Sequence, residues 1–163
     1  MNEPISHWDK IRPQFDALPY PNQPLAKSPS QNFSDLAKHN CAIPFYLRNH
    51  QVIDSQDKWI LDAGCGSGFK LLALAIANPG ANLVGVDLSP KSLEVAQQRL
   101  EYHQIPNPVY LHCLPLEALS TLPYHFDYIN CDDVLYLLED PAVGLAAMRS
   151  VLNADGIIRA NMH

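Results

Sequence analysis

The sequence predicts an α/β fold, a parallel sheet covered by helices on both faces, and three observations carry that expectation. From residue 59 onward, short apolar runs alternate with helical segments, the pattern of strand–helix–strand crossovers. The stretch WILDAGCGSGFKLLALA (59–75) reads as a strand, a turn with glycines at Gly64, Gly66 and Gly68, and a helix. NLVGVDLSP (82–90) then reads as a strand ending at Asp87, nineteen residues beyond Gly68. A carboxylate there is placed to accept hydrogen bonds from both hydroxyls of a ribose.

Residues 1–32 form a proline-rich arm, with Pro4, Pro13, Pro19, Pro21, Pro24 and Pro29 denying it regular hydrogen bonding. An extended or partly disordered leader is expected, although Trp8, Phe15 and Tyr20 give it something to bury, as a lid would. Residues 33–51 predict two short helices separated by Pro44, the first capped by Ser34. Arg48 is a cation that either meets a ligand carboxylate or pairs on the surface. Strands are expected at 59–63, 83–88, 109–114, 126–131 and 156–162. The first intervening helix, Gly68 to Ala77, is apolar nearly all round and stops at Asn78-Pro79-Gly80. The second starts at Ser89-Pro90, with Leu93, Ala96 and Leu100 on one face. A later helix starts at Asp140-Pro141, runs to Leu152, and is followed by a turn at Asn153–Gly156. Right-handed crossovers order the strands 3-2-1-4-5, which puts a ligand crevice at the carboxyl ends of strands one and four.

The domain spans 33–163 of a 163-residue chain with formal net charge -6 and no apolar run near the roughly 20 residues of a membrane span. No basic-then-apolar leader opens the sequence, so a cytoplasmic protein is expected. Cys41, Cys65, Cys113 and Cys131 have no metal-ligand spacing, and the histidines form no ligand pair, so reduced thiols and no metal are expected.

The loop spacing chooses among cofactors. A dinucleotide fingerprint would place Phe69 or Leu71 where a small residue is needed, and no phosphate-loop motif can be drawn around Lys70. The pattern present, Asp62-x-Gly64-x-Gly66-x-Gly68, resembles the first motif of class I S-adenosylmethionine-dependent methyltransferases. The resemblance extends over 59–162, through VGVDLSPKSLEVAQQRL (84–100) and FDYINCDDVLYLLEDPAVGLAAMRSVLNADG (126–156). It implies a Rossmann-like three-layer α/β/α sandwich that binds S-adenosyl-L-methionine. On these positions it implies Asp87 at the ribose, Leu88 against the adenine, and Asp62 near the cofactor's amino group. Gly64, Cys65, Gly66 and Gly68 would form the cofactor turn, with Asn130 and Cys131 facing the methionine moiety. Where relatives place a polar residue for adenine, this chain has HCLPLEAL (112–119), which leaves Leu114 for apolar packing and Glu117 as a weaker polar candidate. In proteins resembling this one, an N-terminal extension often covers the pocket.

Methyl transfer from a sulfonium needs mainly alignment, worth on the order of 7–11 kcal/mol at best. A general base is optional, and Asp132 and Asp133 are the candidates, of which one can face the pocket. The acidic chain lacks a basic patch and the N/D-P-P-Y/F motif, which disfavours nucleic acid and leaves a small organic acceptor first and a protein acceptor second. The family's sheet continues with strands six and seven, which this sequence does not contain. A fragment is expected, or a homodimer formed through an exposed strand at 156–162. The alternatives are a non-catalytic S-adenosylmethionine-binding or partner-binding module, and more distantly a nicotinamide-dependent oxidoreductase.

Overall fold

A computed structural model describes residues 6–161. Five parallel strands, β1 (Trp59–Ala63), β2 (Asn82–Asp87), β3 (Val109–Cys113), β4 (Phe126–Cys131) and β5 (Leu152–Ala160), form one sheet in the order β3-β2-β1-β4-β5. The central strands are near-continuous apolar runs because they are covered on both faces. On one face Ile60, Leu83 and Tyr128 pack under α4 (Phe69–Ala77), α5 (Pro90–Tyr102) and the start of α3 (Ala42–Asn49). On the other, Leu61, Val84, Val86 and Ile129 meet Leu116 and Leu119 of a 3-10 turn and Met148 of α6 (Pro141–Ser150). The three-layer expectation and its strand order hold.

Helix starts follow their capping residues. Ser89 Oγ accepts the Ser92 N–H of α5 at 3.0 Å with Pro90 in the first turn, and Asp140 Oδ1 accepts the Ala142 N–H of α6 at 2.9 Å. Buried Asn78 ends α4 and ties it to the helices before the sheet, donating to Leu74 O and His39 O while accepting the Cys41 N–H.

Four expectations are corrected. The arm is not extended throughout: His7–Ala17 forms α1, capped by Ser6, with Pro13 inside it. Trp8, Ile11 and Phe15 fall on one face and all three line the cavity described below, so tertiary packing outweighs one proline. Pro44 does not separate the next two helices. It sits third in α3, where its missing N–H would have no partner, and the break between α2 (Phe33–His39) and α3 falls at Asn40–Cys41. Asn32, not Ser34, caps α2, accepting the Ser34 N–H at 3.0 Å. Finally, α6 stops at Ser150, and 153–156 is an irregular part of β5 rather than a turn before it. Phe126 pairs with Leu152 and Tyr128 with Ile157, so the extra residues bulge opposite Asp127, whose Oδ1 accepts from Asn153 Nδ2. The Met162 end of the expected last strand lies outside the described residues. Among the described residues, no helix is long and apolar enough to cross a membrane.

Candidate active site

The strand order reverses between β1 and β4, and a cleft open to solvent lies at the carboxyl ends there. Its walls are mostly apolar, with Val86, Leu88, Leu114, Leu116, Val134 and Leu137 facing the aromatic side of α1. The charged side chains on it are Lys70, Asp87, Asp132 and Asp133.

The glycine turn has φ angles of 81°, 52° and 80° at Gly64, Gly66 and Gly68, all in the left-handed region. The space over each of the three glycines is occupied by other parts of the chain. A Cβ on Gly64 would meet the Val134 side chain, one on Gly66 would collide with Tyr20 O, and one on Gly68 would come 2.7 Å from Ala96 Cβ. Gly64 and Gly66 line the cleft, whereas Gly68 allows α4 and α5 to approach. Gly68→Ala is therefore expected to destabilise the chain by about 1–3 kcal/mol, read as a lower urea midpoint.

Asp87 ends β2 on the cleft wall. Its Oδ2 accepts the Gly66 N–H at 2.8 Å and its Oδ1 the Ser89 N–H at 2.9 Å, and the Leu88 backbone also donates to the carboxylate, which leaves part of its acceptor capacity unused. Burial raises its pKa against the lowering effect of those amides. Cys65, Leu88 and Leu114 also line the cleft. Asp62, Asn130 and Cys131 lie behind it, each almost fully buried. Asn130 Nδ2 donates to Asp62 Oδ1 at 2.9 Å, while Asp62 Oδ2 is buried without a protein partner. Burial lifts the Asp62 pKa to about 6. It also pushes the Cys131 thiol up to about 12 and Cys65 well above the ordinary range, so neither is a ready nucleophile.

The two aspartates after β4 part company. Asp133, with φ 62°, lines the cleft beside Lys70, whose ammonium it contacts, and Asn161 Oδ1 accepts its N–H at 2.7 Å. Asp132 is held by Arg159 Nη1 at 2.9 and 2.8 Å, with His39 Nε2 3.6 Å and Lys70 Nζ 3.8 Å away. Burial alone would raise its pKa, but these partners outweigh it and hold the carboxyl well below the usual range. A carboxylate so held is a poor proton acceptor. Arg48 is elsewhere: it donates to Asp155 O and Gly156 O and lies over the Phe45 ring. Glu117 is not on the cleft wall, and its Oε2 is buried without a partner.

Three residues escaped the sequence reading. Lys70 and Arg159 carry no motif signal, since their partners are distant in the chain. Arg99 is fully buried, and its guanidinium donates to Ser67 O at 3.0 Å, Pro24 O at 2.9 Å and Gln23 O at 2.8 Å. With the Ser67 N–H on Tyr20 O and Ser67 Oγ on Pro21 O, it staples the arm to the glycine turn. Its place on the α5 face beside Ala96 was the only available signal. Arg99→Met should release this contact, giving faster proteolysis within residues 18–28 and a stability loss of roughly 2 kcal/mol.

Comparison with known proteins identifies the family. A family model described as a methyltransferase domain matches residues 54–163. An uncharacterised protein of Synechococcus is 34% identical over 155 residues, covering 95% of this chain and 37% of its own. The ubiquinone biosynthesis O-methyltransferase of Idiomarina loihiensis is 34% identical over 131 residues, covering 80% of this chain and 52% of its own. The chain thus spans about half the length, or less, of these curated relatives. Among solved structures, magnesium protoporphyrin IX methyltransferase (ChlM) from Synechocystis PCC 6803 with bound SAM superposes with TM-score 0.65 at 20% identity, covering 94% of this chain and 75% of that one. The [4+2]-cyclase SpnF superposes with TM-score 0.67 at 19% identity, covering 98% and 61%. At those identities the likeness shows the fold alone. The glycine turn and Asp87 fall inside the matched region, and by that match the chain belongs to the methyltransferase-domain family.

Proposed function

We propose that the cleft is an S-adenosylmethionine site and that the chain transfers a methyl group to a small organic acceptor. The observation that carries this reading is Asp87, a carboxylate at the end of β2 on the cleft wall whose backbone donors leave part of its acceptor capacity unused. Ribose hydroxyls suit that capacity. The buried, unpartnered Asp62 Oδ2 and the opposed charges of Lys70 and Asp133 suit an amino-acid end with one ammonium and one carboxylate. Leu88 and Leu114 offer apolar surface for a base. When bound, S-adenosylmethionine supplies a methyl group already activated on a sulfonium.

The chain's own task is then to orient and to exclude water. The arm serves as a lid, with Trp8, Ile11 and Phe15 closing one wall and Arg99 anchoring the segment that follows. Asp132 is too strongly paired to take a proton, and Asp133 is itself engaged by the Lys70 ammonium and Asn161 Nδ2, so an acceptor that needs a base would have to draw Asp133 away from Lys70. The apolar wall favours a small organic acceptor, in keeping with relatives named as O-methyltransferases.

Calorimetric titration with S-adenosylmethionine, S-adenosylhomocysteine and NAD tests the reading. Micromolar binding of the first two and none of NAD is expected. A folded chain that binds NAD, or none of the three, would overturn it.

A further inference from the structure

Asp62, Asn130 and Arg159 form a row across three strands. Asp62 on β1 is the register partner of Asn130 on β4, which is the register partner of Arg159 on β5. Their side chains join in the same order: Arg159 Nη1 donates to Asn130 Oδ1 at 2.6 Å, and Asn130 Nδ2 donates to Asp62 Oδ1 at 2.9 Å. A guanidinium has donors only, so the Asn130 atom facing it must be the amide oxygen. The amide nitrogen must then face Asp62, which can only accept from it.

We propose that Arg159 is a positioning residue: by fixing which way the Asn130 amide points, it holds the Asp62 carboxylate charged and ready for the cationic end of a ligand. This rests on the cofactor reading above for the ligand, but not for the row itself. Asp62 Oδ2, fully buried and unpartnered, is the atom left for that cation.

The surroundings make Arg159 the deciding group. From α2, His39 faces Asp62, but its Nδ1 is engaged with Asp35 O and its Nε2 is directed to Asp132. From α4, Lys70 is shared between Asp132 and Asp133. The turn contributes Cys65, and β4 with the residue after it contributes Tyr128, Cys131 and Asp132, none of them a cation. Removing Arg159 would leave Asp132 without its closest cationic partner and free the Asn130 amide to turn its oxygen toward Asp62. Two facing oxygens need a proton between them, and Asp62 would take it up.

The test follows the Asp62 carboxyl carbon by NMR in ligand-free protein and S-adenosylmethionine affinity against pH. In the wild type the carboxyl should titrate near pH 6. Arg159→Met should move the midpoint up by about one to two units, with affinity lowered roughly tenfold at pH 7 and recovering by about pH 9. Arg159→Lys, which retains donors and charge, should restore most of both. An unmoved midpoint, or an affinity loss equal at every pH, would make Arg159 merely structural and overturn the proposal. If the Met variant does not fold, the wild type decides. Slowly exchanging Asn130 Nδ2 protons with a coupling to the Asp62 carboxyl are expected, and rapid exchange would overturn it. Failure of the wild type to bind S-adenosylmethionine at any pH would defeat the cofactor reading, while the carboxyl titration would still decide the role of Arg159.

Discussion

Asp87→Ala should lower affinity for S-adenosylmethionine by roughly 2–4 kcal/mol, about thirtyfold to nearly a thousandfold, because two charge-assisted hydrogen bonds to a ribose are lost together. The same carboxylate accepts the Gly66 and Ser89 N–H groups, so the variant should also loosen the glycine turn. Asp87→Asn separates the two effects. Its remaining carbonyl oxygen can keep one backbone amide, whereas the charge is gone, so it should recover more stability than affinity. Calorimetry on the three proteins, with urea unfolding in parallel, reads both quantities. Unchanged affinity in a folded Asp87→Ala protein would remove Asp87 from the site.

Asp62→Asn should have opposite effects on stability and binding. In the ligand-free wild type, burial raises the Asp62 pKa from 3.8 to about 6, so the native state holds a proton more tightly than the unfolded chain does. For a carboxyl shifted in that direction, stability is greatest below about pH 4, falls as pH rises through the interval to about 6, and is level above it. Substituting asparagine removes the buried charge. The variant should therefore match the wild type near pH 4 and exceed it by roughly 1–3 kcal/mol at pH 8. Its affinity for a cationic ligand should fall roughly ten- to a hundredfold, the worth of one charge-assisted hydrogen bond. Thermal unfolding at the two pH values and calorimetry at pH 8 check the pair. A variant destabilised at pH 8 would show that the Asp62 charge is satisfied without a ligand.

Most of the sheet was legible because its signals are local. Burial on both faces writes β1, β2 and β4 as apolar runs, and Ser89-Pro90 and Asp140-Pro141 mark helix starts through hydrogen bonds to residues two or three positions on. At the irregular start of β5 the sequence predicts a turn, because Asn153-Ala154-Asp155-Gly156 has turn composition. What keeps it in the strand is pairing with β4 and the contact of Asn153 with Asp127, both distant in sequence. The arm departs from its expected extended form for a related reason: proline content describes local hydrogen bonding, while α1 is held by a cavity that the rest of the chain builds.

The sequence alone determined the α/β class, the strand order, the glycine turn and the carboxylate ending β2, since each rests on near neighbours or on the handedness of crossovers. Tertiary structure alone decided the charges behind the turn. It tied Asp132 to Arg159, set Lys70 against Asp133, aligned Arg159 with Asn130 and Asp62, and buried Arg99 under the arm. Side-chain charge is visible in a sequence, but its partner and its degree of burial are not. Those two quantities determine which carboxylate can accept a proton and which is already spoken for.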